Sequence, residues 1–178
     1  EICQKNEITL VGPNCLGIIN AEAGLNASFA PIMPSAGSVA FISQSGALCT
    51  AVLDYAANLK IGFSKFMSIG NKAVVDELAI LEYLADDPKT KVIAMYVQQL
   101  ADAPRLRTAL YKITHGQNPK PVIILKSGRT SAGAGASASH TGALAGNDSA
   151  YEALFTQGGA IRALSVAELF DYIQIFLD

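Results

Sequence analysis

The stretch Val39-Ala40-Phe41-Ile42-Ser43-Gln44-Ser45-Gly46 decides the fold. Four apolar residues run consecutively instead of alternating with polar ones, the pattern of a strand covered on both faces. Ser43 to Gly46 then turns the chain, without a spacer, into a stretch of helical length from Gly46 to Leu59. Similar apolar runs recur at Phe63 to Ile69, at Val92 to Val97, at Val122-Ile123-Ile124-Leu125 and, briefly, at Ile161-Arg162-Ala163. Helical stretches separate or follow them, from Val74 to Ala85, Ala103 to Thr114, Asp148 to Thr156 and Val166 to Leu177. Their stop signals are Asp86-Asp87-Pro88, His115-Gly116, where the glycine suits a left-handed cap, and Gly158-Gly159.

Strand-to-helix alternation of this kind predicts an α/β fold, a flavodoxin-like doubly wound parallel sheet with strand order 2-1-3-4-5. Residues 1–35 break the rhythm. Ile8 to Val11 predicts a short strand, Gly12-Pro13-Asn14-Cys15-Leu16-Gly17 a turn, Ile18-Ile19 a second short strand, and Ala21 to Pro34 mostly irregular chain. A segment of this size makes no core alone. Residues 1–35 are therefore expected to be the remnant of a preceding domain plus a linker, with Pro31 and Pro34 at the boundary and residues 36–178 as the second domain. The start at Glu1, inside a helix-to-strand passage, suggests a piece of a longer protein.

Composition narrows the function. Residues of the AVILMFWYC set make up 51% of the 178, against 16% charged, which argues against disorder. Thirteen Lys and Arg face 15 Asp and Glu, for a formal charge of -2 with no basic block, so no nucleic-acid partner is expected. No apolar run reaches the ~18 residues of a bilayer span, and nothing at the N-terminus resembles a charged-then-apolar export signal, so neither a membrane span nor secretion is expected. Cys3, Cys15 and Cys49 form no C-x-x-C pair, which suits a reducing, cytoplasmic location. No Cys, His and carboxylate spacing suggests a metal site.

In open α/β sheets ligands gather beyond the carboxyl ends of the strands. After the first strand, Ser43-Gln44-Ser45-Gly46 opens a helix, and free amides at the positive end of a helix dipole favour phosphate. An ordinary serine N-cap is the other reading. After the fourth strand, residues 127–146 are almost all Gly, Ala, Ser or Thr, with His140 the side chain that titrates near neutrality. Such a segment suits a histidine that carries a charged group between two stations, and equally suits a flexible linker. After the third strand, Gln98 falls between these two features, either orienting an imidazole through its amide oxygen or merely ending a strand. Ser45 is no nucleophile elbow, because G-x-S-x-G needs glycine where Ser43 and Ala47 stand.

Five motifs, Gly12-Pro13-Asn14-Cys15, Ser43-Gln44-Ser45-Gly46-Ala47, Ser68-Ile69-Gly70-Asn71-Lys72, Lys126-Ser127-Gly128-Arg129 and Ser139-His140-Thr141-Gly142-Ala143-Leu144-Ala145-Gly146, occur in this order. Together they resemble the NDP-forming acyl-CoA synthetases, relatives of the succinyl-CoA synthetase α subunit and of ADP-forming acetyl-CoA synthetase. The resemblance covers nearly the whole chain. It implies that residues 1–35 end a CoA-binding domain of Rossmann-like type and that residues 36–178 form the ligase domain. It further implies that His140 is transiently phosphorylated, that Ser43, Gln44, Ser45 and Gly46 hold the phosphate, and that Asn14 and Cys15 lie near the thioester end of CoA. Small carboxylic acid, CoA and phosphate would be the substrates. ATP or ADP with Mg2+ would be held mainly by an ATP-grasp domain or subunit outside this chain. The family usually carries glutamate at the end of the third strand, where this chain has Gln98. That departure supports an alternative, a catalytically weakened acyl-CoA-binding regulatory module of a multidomain acyltransferase.

Overall fold

A computed structural model of the chain describes residues 2–100, 102–128 and 148–178. Its elements are α1 (Ile2–Lys5), β1 (Gly17–Asn20), β2 (Leu25–Ser28), β3 (Ala36–Ser43), α2 (Gly46–Asn58), β4 (Phe63–Ser68), α3 (Glu77–Asp86), β5 (Val92–Val97), α4 (Ala103–His115), β6 (Val122–Lys126), α5 (Asp148–Gln157), β7 (Ile161–Ala163) and α6 (Val166–Leu177). Among the described residues the strands form one seven-stranded sheet in the order β2-β1-β4-β3-β5-β6-β7. Strands β3 to β7 pair in parallel, and numbered by themselves they run 2-1-3-4-5, as the apolar runs predict.

Each central strand is buried on both faces, so the core has two layers. Phe41, Phe63, Phe66 and Ile123 point to one face, where α2 contributes Val52 and Leu53 and α6 contributes Leu169 and Phe170. Ile42, Met95, Val122 and Ile124 point to the other, against Leu81 of α3, Leu110 of α4 and Phe155 of α5. Serine and aspartate set four helix starts. The side chains of Ser45, Asp76, Asp102 and Ser165 accept from the N–H groups of Leu48, Ala79, Arg105 and Glu168, each cap being worth about 1 kcal/mol.

The amino-terminal segment differs from expectation in detail. β1 and β2 form an antiparallel hairpin, and β1 also pairs antiparallel with β4 through Ile18↔Met67 and Ile19↔Phe66. β2 escapes the sequence reading because Leu25, Asn26 and Ala27 are exposed on a sheet edge and show no apolar alternation. The strand expected at Ile8 to Val11 does not form. That stretch is extended chain outside the sheet, and its Leu10 carbonyl accepts from Val75 N–H at 3.2 Å. Gly116 likewise ends α4 without a left-handed turn, at φ -73. A side chain there would meet the Lys112 carbonyl oxygen at 2.5 Å, so close approach, not handedness, requires the glycine.

At the amino-terminal edge of the parallel strands a polar cluster ties the end of α3 to the sheet. Lys65 pairs with Asp87 at 3.2 Å, Thr90 donates to Asp87 at 2.7 Å and also meets Ser64 at 2.7 Å. Lys120 donates to the Leu84 and Asp87 carbonyls at 2.6 and 2.7 Å, at the negative end of the α3 dipole. Burial disfavours the Asp87 anion, but hydrogen bonds from Thr90, from the Lys89 N–H and from Lys65, with the Lys65 charge, outweigh it and hold the carboxyl below its ordinary range. The cluster therefore adds stability above about pH 4, where an unfolded aspartate is ionised, and loses it as pH falls through the lowered folded-state value. Asp87→Asn should lower the unfolding free energy by roughly 1–3 kcal/mol at neutral pH. The gap to wild type should close below about pH 4, which urea titrations of both proteins over that range will show.

Candidate active site

α2 follows β3 onto one face of the sheet and α4 follows β5 onto the other. A crevice therefore opens at the carboxyl ends of these two adjacent strands, where a doubly wound sheet holds its ligands. At the end of β3 the buried Ser43 hydroxyl accepts from Ser45 N–H at 3.0 Å and donates to the Ser45 carbonyl at 2.9 Å. This closes a tight turn that sets Ser45 as the cap of α2. The Ser45 hydroxyl takes the Leu48 N–H at 3.3 Å, and the Ser45 carbonyl takes the Cys49 N–H at 3.4 Å. Two of the four orphan amides of the first turn remain, those of Gly46 and Ala47, which have no acceptor among the described residues.

Gln44 braces the crevice from behind. Its side-chain oxygen accepts from the N–H groups of Gln98 and Gln99 at 2.9 and 3.0 Å, and its side-chain nitrogen donates to the Gln99 carbonyl at 2.8 Å. The Gln44 backbone N–H donates to the Tyr96 carbonyl at 3.1 Å. With both amides engaged in this way, Gln44 is a positioning residue. Lys72, in the loop after β4, donates to the same Gln99 carbonyl at 2.8 Å and to both oxygens of Glu77, at 2.9 and 2.8 Å. Glu77 is 2% exposed, so this pair is shielded from water and fixes the loop firmly.

The Gly12-to-Gly17 turn forms the opposite wall. The Pro13 carbonyl accepts from Asn71 N–H and the Gly12 carbonyl from Ala73 N–H, both at 2.9 Å, and Leu16 N–H donates to the Ser68 hydroxyl at 3.0 Å. Gly70 makes this approach possible: at φ +49, a side chain would sit 2.3 Å from the Pro13 and Asn14 carbonyl oxygens. The result is a cleft of about 500 Å³ whose walls include Asn14, Cys15, Ser45, Gly46, Asn71 and Gln98. Gln44 and Ala47 also line it, and Ser43 lies directly behind. His140 lies outside the described residues. The larger groove between α3 and α4, about 820 Å³, holds none of the expected site residues.

The electrostatics are one-sided. Among the described residues no charged side chain lines the cleft, whereas the α2 dipole places about half a positive charge at its N-terminal end. Cys49 lies under the site in α2. Burial pushes its thiol up to about 11 against hydrogen bonds with Ser43 and Ser68, so it stays a neutral packing group. Asn14 and Asn71 side chains meet across the cleft at 3.4 Å. No group of three or more His, Cys, Asp or Glu among the described residues could hold a metal ion.

The family model described as the succinyl-CoA ligase like flavodoxin domain matches residues 36–176. The chain belongs to this family. Among curated proteins, this succinyl-CoA ligase like chain is 49% identical over 176 residues to the ADP-forming acetate–CoA ligase of Methanocaldococcus jannaschii, covering 99% of the chain and 24% of that relative. It is 43% identical over 176 residues to the ADP-forming acetate–CoA ligase II subunit alpha of Pyrococcus furiosus, covering 99% of the chain and 38% of that subunit. The solved dinucleotide forming acetyl-coenzyme A synthetase 1 of Candidatus Korarchaeum cryptofilum, in complex with phosphate and ADP, superposes with a TM-score of 0.92 at 39% identity. That match covers 98% of this chain and 37% of the solved one. The chain thus spans between about a quarter and two fifths of each of these proteins.

Asn71, Lys72 and Glu77 are the site-forming residues that sequence reasoning left without a role. Gly-Asn-Lys directly after a strand was the available signal, but apart from the Lys72–Glu77 pair its contacts run to distant segments, the Pro13–Asn14 turn and the Gln99 carbonyl. Replacing Gln44 by leucine should leave the Gln98 and Gln99 amides without their acceptor. We expect a loss of roughly 1–3 kcal/mol, read by urea unfolding, with faster hydrogen exchange at those two amides.

Proposed function

We propose that the chain is the phosphoryl-relay domain of an NDP-forming acyl-CoA synthetase, which interconverts carboxylic acid, CoA and NTP with acyl-CoA, NDP and phosphate. One observation carries the reading: the two amides of α2 that have no acceptor among the described residues, those of Gly46 and Ala47, belong to residues lining the same cleft as Asn14, Cys15 and Gln98. Residues 36–178 act as the ligase domain, and residues 1–35 end the CoA-binding domain, whose last hairpin completes the sheet. A nucleotide-binding ATP-grasp domain or subunit holds NDP and Mg2+. The naming of the Pyrococcus relative as an alpha subunit suits such a division of labour.

In the direction of NTP synthesis, phosphate sits on the Gly46 and Ala47 N–H groups, which offset its charge through the helix dipole. Asn14 and Cys15 place the thioester carbonyl beside it. A phosphate oxygen bonds to the carbonyl carbon, the carbon–sulfur bond breaks, and the thiolate takes up a proton to leave as CoA. The imidazole of His140 then attacks phosphorus, and the acid departs as its carboxylate. The phosphoryl group on His140 passes to the terminal oxygen of NDP, regenerating neutral imidazole. Rigid walls supply most of what such transfers need, because alignment and charge compensation dominate their barriers.

Gln98 favours a second reading, an acyl-CoA-binding regulatory module, because a neutral amide orients an imidazole without stabilising its cation. Incubating the full-length protein with labelled NTP and Mg2+ separates the two. The relay reading expects an acid-labile, base-stable phosphate that His140→Ala abolishes, and that Gln98→Glu increases in rate by up to about 10- to 100-fold. A module labels in neither form. Gly46→Ala isolates the anion site, since the added methyl meets nothing closer than Leu16 N at 3.5 Å. We expect unchanged thermal stability together with weakened phosphate binding by calorimetry.

A further inference from the structure

A second cavity, of about 460 Å³, adjoins the cleft and shares Cys15, Leu16 and Phe29 with it. It lies between the hairpin and the turn, at the end where Gly17 of β1 pairs with Ser28 of β2, and the Ile18↔Met67 pairing of β1 with β4 puts that end at the carboxyl end of β4. Its walls are chiefly carbon, from Val11, Leu16, Ile18, Ala27 and Phe29. Its two polar side chains are already bonded to the protein. The Ser28 hydroxyl donates to Asn26 Oδ1 at 2.6 Å and accepts from Ala30 N–H at 3.1 Å, and Asn26 Nδ2 donates to the Ala30 carbonyl at 3.2 Å. Phe29 stands on the rim between the two cavities with 87% of its surface exposed, so its ring is placed to meet whatever passes from one into the other.

We infer that this cavity takes the hydrocarbon part of the acyl group and that Phe29 and Ala27 set the chain length accepted. The inference rests on the ligase reading above. With phosphate on the α2 amides and the reacting carbonyl near Cys15, the acyl tail continues away from the dipole into an uncharged space. Monocarboxylic acids suit it. Among the described residues no cation lines either cavity, so the far carboxylate of a dicarboxylic acid would meet carbon walls without a partner, which is strongly unfavourable.

The test measures thioester formation by the full-length protein with acetate, propionate, butyrate, pentanoate and succinate, in wild type, Phe29→Ala and Ala27→Leu. Both side chains are exposed, so the variants should fold, and their melting temperatures check this. In wild type, kcat/KM should rise by up to about fourfold per added methylene, with succinate far below butyrate. Phe29→Ala should flatten that rise, and Ala27→Leu should reverse it beyond propionate. Succinate used as well as butyrate, or a chain-length profile unchanged in both variants, would overturn the inference while leaving the ligase reading intact. An equal loss with every acid accompanied by a raised KM for CoA would also overturn it, giving the cavity to the pantetheine arm. No thioester from any acid would overturn the ligase reading and this inference together.

Discussion

Two amides that the first turn of a helix cannot satisfy set the character of the cleft at the carboxyl ends of the strands. Any α-helix presents such groups, but here the Ser43–Ser45 turn and the Ser45 cap use the neighbouring donors and leave those of Gly46 and Ala47 facing a cleft. An anion in the cleft would complete hydrogen bonds that the described residues leave open. The surrounding contacts keep the opening from closing. Gln44 ties the end of β3 to the chain after β5, Lys72 ties the loop after β4 to the same carbonyl, and Gly70 lets the Pro13–Asn14 turn pack down as the far wall.

The sheet was largely legible because strands buried on both faces tend to near-continuous apolar runs, clearest in β3, β5 and β6, and because such runs alternate with stretches of helical length. The edge was less legible. β2 carries Asn26 and Ser28, whose side chains bond each other and the Ala30 backbone, so local polar contacts replace the apolar alternation that announces a strand. Ile8 to Val11 shows the converse, apolar residues whose chain attaches to the loop before α3 instead of entering a ladder. Gly116 illustrates a third limit, since a glycine needed for space reads the same in sequence as one needed for a positive φ.

The site divides in the same way. The helix start at Ser45 and Gly46, which line the cleft, could be read from local pattern, because the chain turns into α2 directly after a buried strand. The bracing by Gln44 and the bond from Lys72 to the Gln99 carbonyl could not, because each joins segments that only the folded sheet brings together. Uncharged walls have a chemical consequence as well. On the proposed reading phosphate is held by fixed dipoles, which stabilise charge without binding it so tightly that it cannot move on, and the adjoining carbon-lined cavity leaves the acyl tail to be recognised by shape.

Diffraction from crystals of the full-length protein grown with phosphate tests the central claim most directly. The expected result is a phosphate whose oxygens lie about 2.7–3.2 Å from the backbone nitrogens of Gly46 and Ala47, inside the cleft with Asn14, Cys15 and Gln98. Phosphate bound at another place, with those two amides donating to protein carbonyls instead, would contradict it.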